Sequence, residues 1–126
     1  MKASLLVVED NPDSRLLLTV LLSDHYDLAE AATGPEALES MRAQRPELVL
    51  LDIGLPGMDG VEVLTEMKAD SQLAGLPVIV LTARAMAGDR EEFLAKGFDD
   101  YVSKPIVDEQ LLIDAIERLL ARRSAT

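Results

Sequence analysis

Short apolar runs recur along the chain at similar intervals. The clearest are residues 4–8, 47–51 and 77–81, and weaker candidates are residues 99–103 and 26–31. The first three runs are continuous rather than alternating with polar residues, which is typical of parallel strands covered on both faces. The pattern therefore predicts five short strands.

Segments whose apolar residues recur at helical spacing follow these runs, and several of them begin with residues typical of a helix start. Asn11 and Pro12 predict a cap and a first helical residue ahead of a leucine-rich stretch. Thr33, with Glu36 three residues later, predicts a capping box. The remaining predicted helices cover residues 60–69, the segment that Asp89 opens and Gly97 closes, and residues 108–121.

The alternation of strand and helix indicates the α/β class, with five strand–helix units of roughly 25 residues each. Right-handed crossovers then make an open, doubly wound parallel sheet with helices on both faces. Ligands of such sheets bind outside the carboxyl ends of the strands. Functional residues are therefore expected directly after the strands.

Size and charge narrow the range of functions. At 126 residues, 48% of them apolar, the chain is expected to form a single domain, with a core of about residues 4–121 and a short tail at 122–126. The net charge of −11 would repel a nucleic-acid backbone, so direct nucleic-acid binding is not expected. No apolar run approaches the roughly 18 residues needed to cross a bilayer, and cysteine is absent. A cytoplasmic protein without membrane contact is expected.

Charged and hydroxyl side chains follow four of the predicted strands. They are Glu9 and Asp10 after the first, Asp52 after the third, Thr82 at the end of the fourth and Lys104 after the fifth. Three carboxylates at one edge need a compensating cation, and Mg²⁺ is the natural candidate because it takes hard oxygen ligands. An aspartate can attack phosphorus to give an aspartyl phosphate, while a lysine and a hydroxyl bind phosphoryl oxygens.

Four motifs carry a family resemblance. They are VVEDN at residues 7–11, LLDIGLPGMDG at 50–60, VIVLTARA at 78–85 and GFDDYVSKPI at 97–106. Over about residues 4–121 the chain resembles the receiver domains of two-component signalling, in particular the single-domain chemotaxis-type response regulators. The resemblance implies a flavodoxin-like (βα)5 fold with strand order 2-1-3-4-5. It also implies a phosphorylation-activated signalling switch rather than a conventional enzyme.

The resemblance assigns roles to the acidic residues. It makes Asp52 the phosphoacceptor, and Glu9 and Asp10 the pair that holds Mg²⁺ together with Asp52, Asp10 directly and Glu9 largely through water. The backbone carbonyl of Gly54 is the implied remaining protein ligand. Gly54 and Arg84 also stand at positions that influence phosphoryl lifetime in this family.

The other site residues follow from the same resemblance. Thr82 and Lys104 match the pair that binds the phosphoryl group, and Ala83 matches a small residue that leaves the site open. Tyr101 matches the aromatic residue that turns inward when the threonine is drawn to the phosphoryl group. Lys104 and Pro105 match a peptide bond that is often cis in this family.

Two surfaces are expected to meet partner proteins. The helix at residues 12–22 carries leucines nearly all the way round, and we expect some to stay exposed and to dock a histidine kinase or a histidine phosphotransfer protein. The surface of about residues 86–121, which includes Arg90 and Asp100 among mixed charges, is expected to contact a downstream protein, since no output domain is expected.

Several alternative functions fit parts of the same sequence. The chain could be a receiver-fold interaction module without phosphorylation, or the receiver portion of a hybrid histidine kinase. Phosphotransfer through His25 is disfavoured because this histidine lies in a loop-like setting. Another class of magnesium-dependent phosphatase would need a second aspartate where Gly54 stands. A flavin carrier is disfavoured because the acidic EDNPDS segment would repel a phosphate.

Overall fold

The computed structural model describes residues 2–83, 89–104 and 108–124. Arg84 and Pro105, which were singled out in the sequence, lie outside the described residues. Parts of the expected output surface, residues 86–88 and 105–107, also lie outside them.

Five parallel strands form one sheet in the order β2-β1-β3-β4-β5, as predicted. The strands are β1 (Ala3–Val8), β2 (Tyr26–Ala31), β3 (Leu48–Asp52), β4 (Val78–Thr82) and β5 (Asp100–Ser103). The register pairs Val8 with Leu51 and Leu51 with Val80, so the central strands end at nearly the same level. The carboxyl ends of β1, β3 and β4 therefore meet at one edge.

Five helices alternate with the strands. They are α1 (Pro12–Leu22), α2 (Gly34–Ala43), α3 (Gly60–Ala69), α4 (Asp89–Lys96) and α5 (Glu109–Ser124). The expected tail at residues 122–126 was wrong for its first three residues, because α5 continues to Ser124. Arginine is a good helix former, and positive charge is favourable at a helix C-terminus. Arg122 therefore extends the helix rather than ending it.

The two caps predicted from the sequence differ in outcome. Asn11 caps α1 through its side-chain oxygen, as predicted. At α2 the predicted capping box is only half formed, because the Glu36 carboxylate accepts from the Ala32 N–H and not from Thr33. A complete capping box lies instead at α3, between Asp59 and Glu62.

The sheet separates two apolar clusters. Alternate strand residues point to opposite faces, so each continuous run supplies both clusters. One face packs against α2, α3 and α4, through residues such as Met41, Leu64 and Phe93. The other face packs against α1 and α5, through Leu18 and Ile116 among others. Helices thus cover both faces, as the unbroken apolar runs predicted.

Candidate functional site

The structure brings the predicted site residues to one edge of the sheet. Glu9 and Asp10 directly follow β1, Asp52 ends β3, Thr82 ends β4 and Lys104 directly follows β5. The backbone N–H of Lys104 donates to the carbonyl of Thr82 at 2.7 Å, which joins the ends of β4 and β5. The parallel register alone therefore places these residues side by side.

Three carboxylates converge at this edge. Glu9, Asp10 and Asp52 each offer an oxygen atom, and these oxygens lie within 4.8 Å of one another. Glu9 and Asp52 are buried, whereas Asp10 is exposed to solvent. Hard oxygen donors that are open to water on one side fit a small divalent cation that keeps part of its hydration shell. The residues present therefore fit Mg²⁺.

Lys104 supplies the positive charge within this cluster. Its ammonium nitrogen lies 2.6 Å from Oε1 of Glu9 and 3.3 Å from Oδ2 of Asp52. The lysine thus contacts the buried acid of the β1–α1 loop more closely than it contacts the predicted phosphoacceptor. One ammonium bridges two of the three acids.

The pKa values reflect this imbalance of charge. Burial raises the pKa of Glu9, and the neighbouring Asp52 raises it further, while Lys104 offsets only part of the rise. Burial alone would lower the pKa of Lys104, but its hydrogen bond to Glu9 and the charge of Asp52 outweigh burial and raise that pKa. The edge is therefore short of positive charge.

The loop after β3 fits closely around Asp52. Oδ1 of Asp52 accepts a hydrogen bond from the Gly54 N–H at 3.1 Å. A Cβ atom at Gly60 would lie 2.8 Å from the Asp52 carbonyl oxygen and 2.9 Å from the Cα of Ile53, both backbone atoms. Gly60 is therefore required for the first turn of α3 to pack beneath Asp52, a role that was not predicted.

Tyr101 lies between β5 and α4. It pairs with Val80 in the sheet and is half-buried against the cluster on the α4 face. Its ring stacks on Phe93 of α4, with 5.8 Å between the centroids and 23° between the planes. Ala83, which follows the buried Thr82, is exposed. The predicted switch residues thus sit on adjacent strands, with the aromatic ring against a helix.

A second group of charges lies at the start of β5 and was not predicted. Asp100, which is expected among the surface charges, is buried, with 2% of its surface exposed. Its carboxylate accepts from Arg90 of α4 at 2.8 Å and from Arg118 of α5 at 2.6 Å. Burial acts to raise the pKa of Asp100, but these two cations and the Tyr101 N–H outweigh burial and lower it.

The leucine-rich helix α1 keeps part of its apolar surface exposed. Leu18 and Leu22 are buried against the sheet. Leu16, Leu17 and Val20 are 63%, 44% and 64% exposed. The expectation that some of these apolar residues stay uncovered is confirmed.

The parallel sheet and the charged cluster at its carboxyl edge define a phosphoacceptor module of the α/β class. The chain belongs to the response regulator receiver domain family, whose model matches residues 5–117. Members of this family are phosphoacceptor signalling modules, which interact with histidine kinases or phosphotransfer proteins and with downstream effectors.

Similar proteins have several architectures. The DNA-binding response regulator MtrA of Mycolicibacterium smegmatis is 40% identical over 120 residues, which are 94% of this chain and 51% of MtrA. The polar-differentiation response regulator DivK of Brucella anthropi is 40% identical over 107 residues, 84% of this chain and 87% of DivK. The chain therefore spans about half the length of MtrA and most of the length of DivK.

One solved structure that is similar to this chain contains a metal ion. It is the receiver domain of the sensor histidine kinase PA1611 from Pseudomonas aeruginosa, with a magnesium ion coordinated in its active site cleft. That domain is 33% identical, has a TM-score of 0.86, and the match covers 96% of this chain and 99% of that chain.

The relatives bear on the expectation that the chain does not bind nucleic acid. The expected lack of nucleic-acid binding is not supported by the relatives, since MtrA is a DNA-binding regulator. For this chain it stays a prediction. Within the described parts of the chain, no helix combines the length and the apolar character needed to span a bilayer.

Proposed function

We propose that Asp52 accepts a phosphoryl group from a phosphohistidine of a partner protein, and that the aspartyl phosphate then switches the domain between two conformers. The supporting observation is the buried Asp52 carboxylate, which contacts Lys104 and lies beside the acidic pair of the β1–α1 loop. In the transfer, an Asp52 oxygen bonds to phosphorus as the bond from phosphorus to the imidazole nitrogen breaks. Attack by water on phosphorus later restores Asp52 and releases phosphate.

The proposed metal ligands are the carboxylates of Glu9, Asp10 and Asp52 and the backbone carbonyl of Gly54. When bound, Mg²⁺ supplies the positive charge that offsets the negative charge of the transferring phosphoryl oxygens. The support from this chain is the convergence of the three carboxylates, two of them buried, around a single lysine. Without a cation these acids repel one another and also repel a phosphate.

Lys104 and Thr82 are the proposed phosphoryl-binding residues. The ammonium of Lys104 is already 3.3 Å from Asp52, and the backbone hydrogen bond to Thr82 joins the two residues. As Thr82 is drawn towards a phosphoryl group, Tyr101 on the neighbouring strand turns inward, which changes its stacking on Phe93 of α4. Phosphorylation then shifts a pre-existing equilibrium between conformers, so the domain acts as a switch rather than a conventional enzyme.

Intact-mass spectrometry after incubation with Mg²⁺ and acetyl phosphate tests this function. We expect a single phosphoryl gain that needs both Mg²⁺ and Asp52, so Asp52→Asn and a metal-free sample should gain nothing. Asp59→Asn is the matched control, since Asp59 caps α3 and asparagine caps equally well. A gain in Asp52→Asn equal to that of the wild type would contradict the proposal, as would a failure of both acetyl phosphate and beryllofluoride to modify or bind the domain at Asp52.

The exposed apolar face of α1 is the proposed docking surface for the phosphodonor, a histidine kinase or a histidine phosphotransfer protein. Leu16, Leu17 and Val20 form a patch beside the loop that carries Glu9 and Asp10. An apolar helix face of this kind fits the side of a helical bundle that presents a histidine. The patch therefore lies on the helix that follows the loop of the acidic pair.

Phosphotransfer from the donor protein, compared with transfer from acetyl phosphate, tests the docking surface. Leu16→Glu should slow transfer from the protein donor by about tenfold and leave acetyl phosphate chemistry unchanged, since one buried contact at an interface contributes about 1–2 kcal/mol. Leu111→Glu on α5 is a matched control, because Leu111 is also an exposed leucine on a helix. Equal loss of both reactions would indicate a folding defect and not a docking role.

The proposed output surface is the face of about residues 86–121, of which residues 89–104 and 108–121 are described. It exposes Leu94 and Leu111 beside the charged residues of α4 and α5. We propose that residues 1–126 act as one receiver domain in a cytoplasmic phosphorelay and pass the signal to a protein partner without direct nucleic-acid contact. The PA1611 likeness supports, as the second candidate, a receiver portion of a hybrid histidine kinase.

A further inference from the structure

Arg15, in the first turns of α1, reaches back to the loop that carries the acidic pair. Its Nη1 donates to the backbone carbonyl of Glu9 at 2.9 Å. Its Nε forms an ion pair with Glu30, near the end of β2, at 3.3 Å. One guanidinium therefore joins α1, the β1–α1 loop and β2 at the edge where the candidate metal ligands lie.

Glu9 is held at each of its polar groups. Its N–H donates to the Ala31 carbonyl at 3.0 Å, and its Oε1 accepts from Lys104. Its Oε2 accepts from the Asn11 N–H at 3.2 Å. Arg15 holds the remaining group, the backbone carbonyl.

The carbonyl of Glu9 also constrains the position at which Asp10 begins. The peptide unit is planar, so the Glu9 carbonyl and the N–H and Cα of Asp10 lie in one plane. Asp10 is exposed, and its side chain stands in solvent rather than in the packed core. Fixing the Glu9 carbonyl therefore places the N and Cα atoms of Asp10, whose carboxylate oxygen lies within 4.8 Å of those of Glu9 and Asp52.

We infer that Arg15 is a positioning residue for divalent-cation binding: it orients the Glu9–Asp10 peptide so that the Asp10 carboxylate joins those of Glu9 and Asp52. This inference rests on the proposed function of the edge as a Mg²⁺ site. A half-exposed ion pair such as Arg15–Glu30 contributes little stability by itself. The ion pair with Glu30 instead holds the Arg15 guanidinium in the orientation in which it reaches the Glu9 carbonyl.

The charge of Arg15 would change the affinity for Mg²⁺ in the direction opposite to its positioning role. A cation near the three carboxylates weakens the binding of a second cation, so simple electrostatics predicts that its removal tightens Mg²⁺ binding. Positioning predicts that its removal weakens Mg²⁺ binding. The two roles can therefore be separated by the sign of a measured change in affinity.

Isothermal titration of the metal-free protein with Mg²⁺ tests the inference. We expect Arg15→Gln and Arg15→Lys both to weaken Mg²⁺ binding by about tenfold, the lower range for residues that orient metal ligands. Lysine keeps the charge but lacks the fork that contacts both Glu9 and Glu30. Arg42→Gln is the control, since Arg42 pairs with Asp70 away from the site and its loss removes the same charge.

A cavity of about 270 Å³ beside Arg15 and Glu30 lets water replace a shortened side chain, so the variants are expected to fold. Amide NMR spectra check the fold. Saturating Mg²⁺ should restore the rate of phosphorylation by acetyl phosphate in both variants, which a damaged core would not allow.

The possible results are distinct. Tighter binding in Arg15→Gln with unchanged binding in Arg15→Lys would overturn positioning in favour of a charge effect. Unchanged affinity in both variants would also overturn it. If the wild-type protein bound no Mg²⁺, the proposal of a metal site at this edge would itself be wrong, whatever the variants do.

Discussion

Two charged groups that contain buried carboxylates lie at opposite ends of β5, and they are built in opposite ways. The edge cluster, made of Glu9, Asp10, Asp52 and Lys104, sets three carboxylates against one ammonium. The β5 clamp, made of Asp100, Arg90 and Arg118, sets one carboxylate against two guanidiniums. The pKa of Glu9 is raised in the first group, and the pKa of Asp100 is lowered in the second.

This difference separates a binding site from a structural contact. In the β5 clamp the buried carboxylate is fully compensated by cations from two helices, so it joins α4 and α5 to the sheet. In the edge cluster the negative charge exceeds the positive charge, and the proposed Mg²⁺ would offset this excess. Three substitutions and one pH dependence test this comparison.

The largest expected effect comes from removing the cation of the edge cluster. Lys104→Met should slow phosphorylation by acetyl phosphate by about a hundredfold, the usual loss when one charged donor to a developing charge is removed. Lys96→Met, which removes a lysine from the exposed pair with Glu92, should leave the rate unchanged. Stopped-flow or timed mass measurements at saturating Mg²⁺ give the rates. Equal rates for Lys104→Met and the wild type would show that the ammonium is dispensable.

The next effect concerns the β5 clamp. Asp100→Asn should lower the free energy of unfolding by about 2 kcal/mol at neutral pH, because two arginines lose a buried carboxylate but can still reach water. Asp114→Asn on the exposed side of α5 is the control and should cost little. Urea unfolding gives both values. If Asp100→Asn were as stable as the control, the β5 clamp would not hold the helices.

A smaller effect of opposite sign is expected in the edge cluster. Asp52→Asn should raise the free energy of unfolding by about 1 kcal/mol in metal-free, low-salt buffer, since it relieves repulsion among the three acids. Added Mg²⁺ should stabilise the wild type more than this variant. A destabilised Asp52→Asn protein would mean that Lys104 and Gly54 compensate Asp52 as fully as the arginines compensate Asp100.

The smallest expected effect is the change with pH of the stability that the β5 clamp contributes. The folded pKa of Asp100 lies below its ordinary value of 3.8, so its charge stabilises the fold above that value, and this contribution is lost as pH falls through the folded pKa. The stability difference between wild type and Asp100→Asn should be constant from neutral pH to about 5 and shrink below about 4. Urea midpoints over this range measure it. A difference that grew on acidification would reverse the assigned direction.

Most of the fold was predictable because its determinants are local. Continuous apolar runs, a capping asparagine before a proline, and apolar positions at helical spacing depend on neighbouring residues. They predicted all five strands and the start of α1 correctly. The competition at α2 between two backbone N–H groups for Glu36 depends on loop geometry, so the capping box there was only half right.

The convergence of the candidate site residues at one edge was predictable, whereas their contacts were not. Parallel strands bring their carboxyl ends together, which is why Asp52 and Lys104 could be placed on one edge. The contact between Glu9 and Lys104 joins residues 95 positions apart, and nothing in the sequence states which acid the ammonium prefers. The burial of Asp100 depends in the same way on arginines from two separate helices.

The division of the core by the sheet has a consequence for engineering the specificity of this domain. Helix α1 is anchored through Leu18 and Leu22 in the cluster that it shares with α5, whereas Phe93 packs in the cluster on the opposite face with Tyr101 against it. The outward residues of α1 can therefore be exchanged for those of another receiver while the packing of Tyr101 on Phe93 is left unchanged. Substitutions on this one helix face would then change which phosphodonor the proposed docking surface recognises.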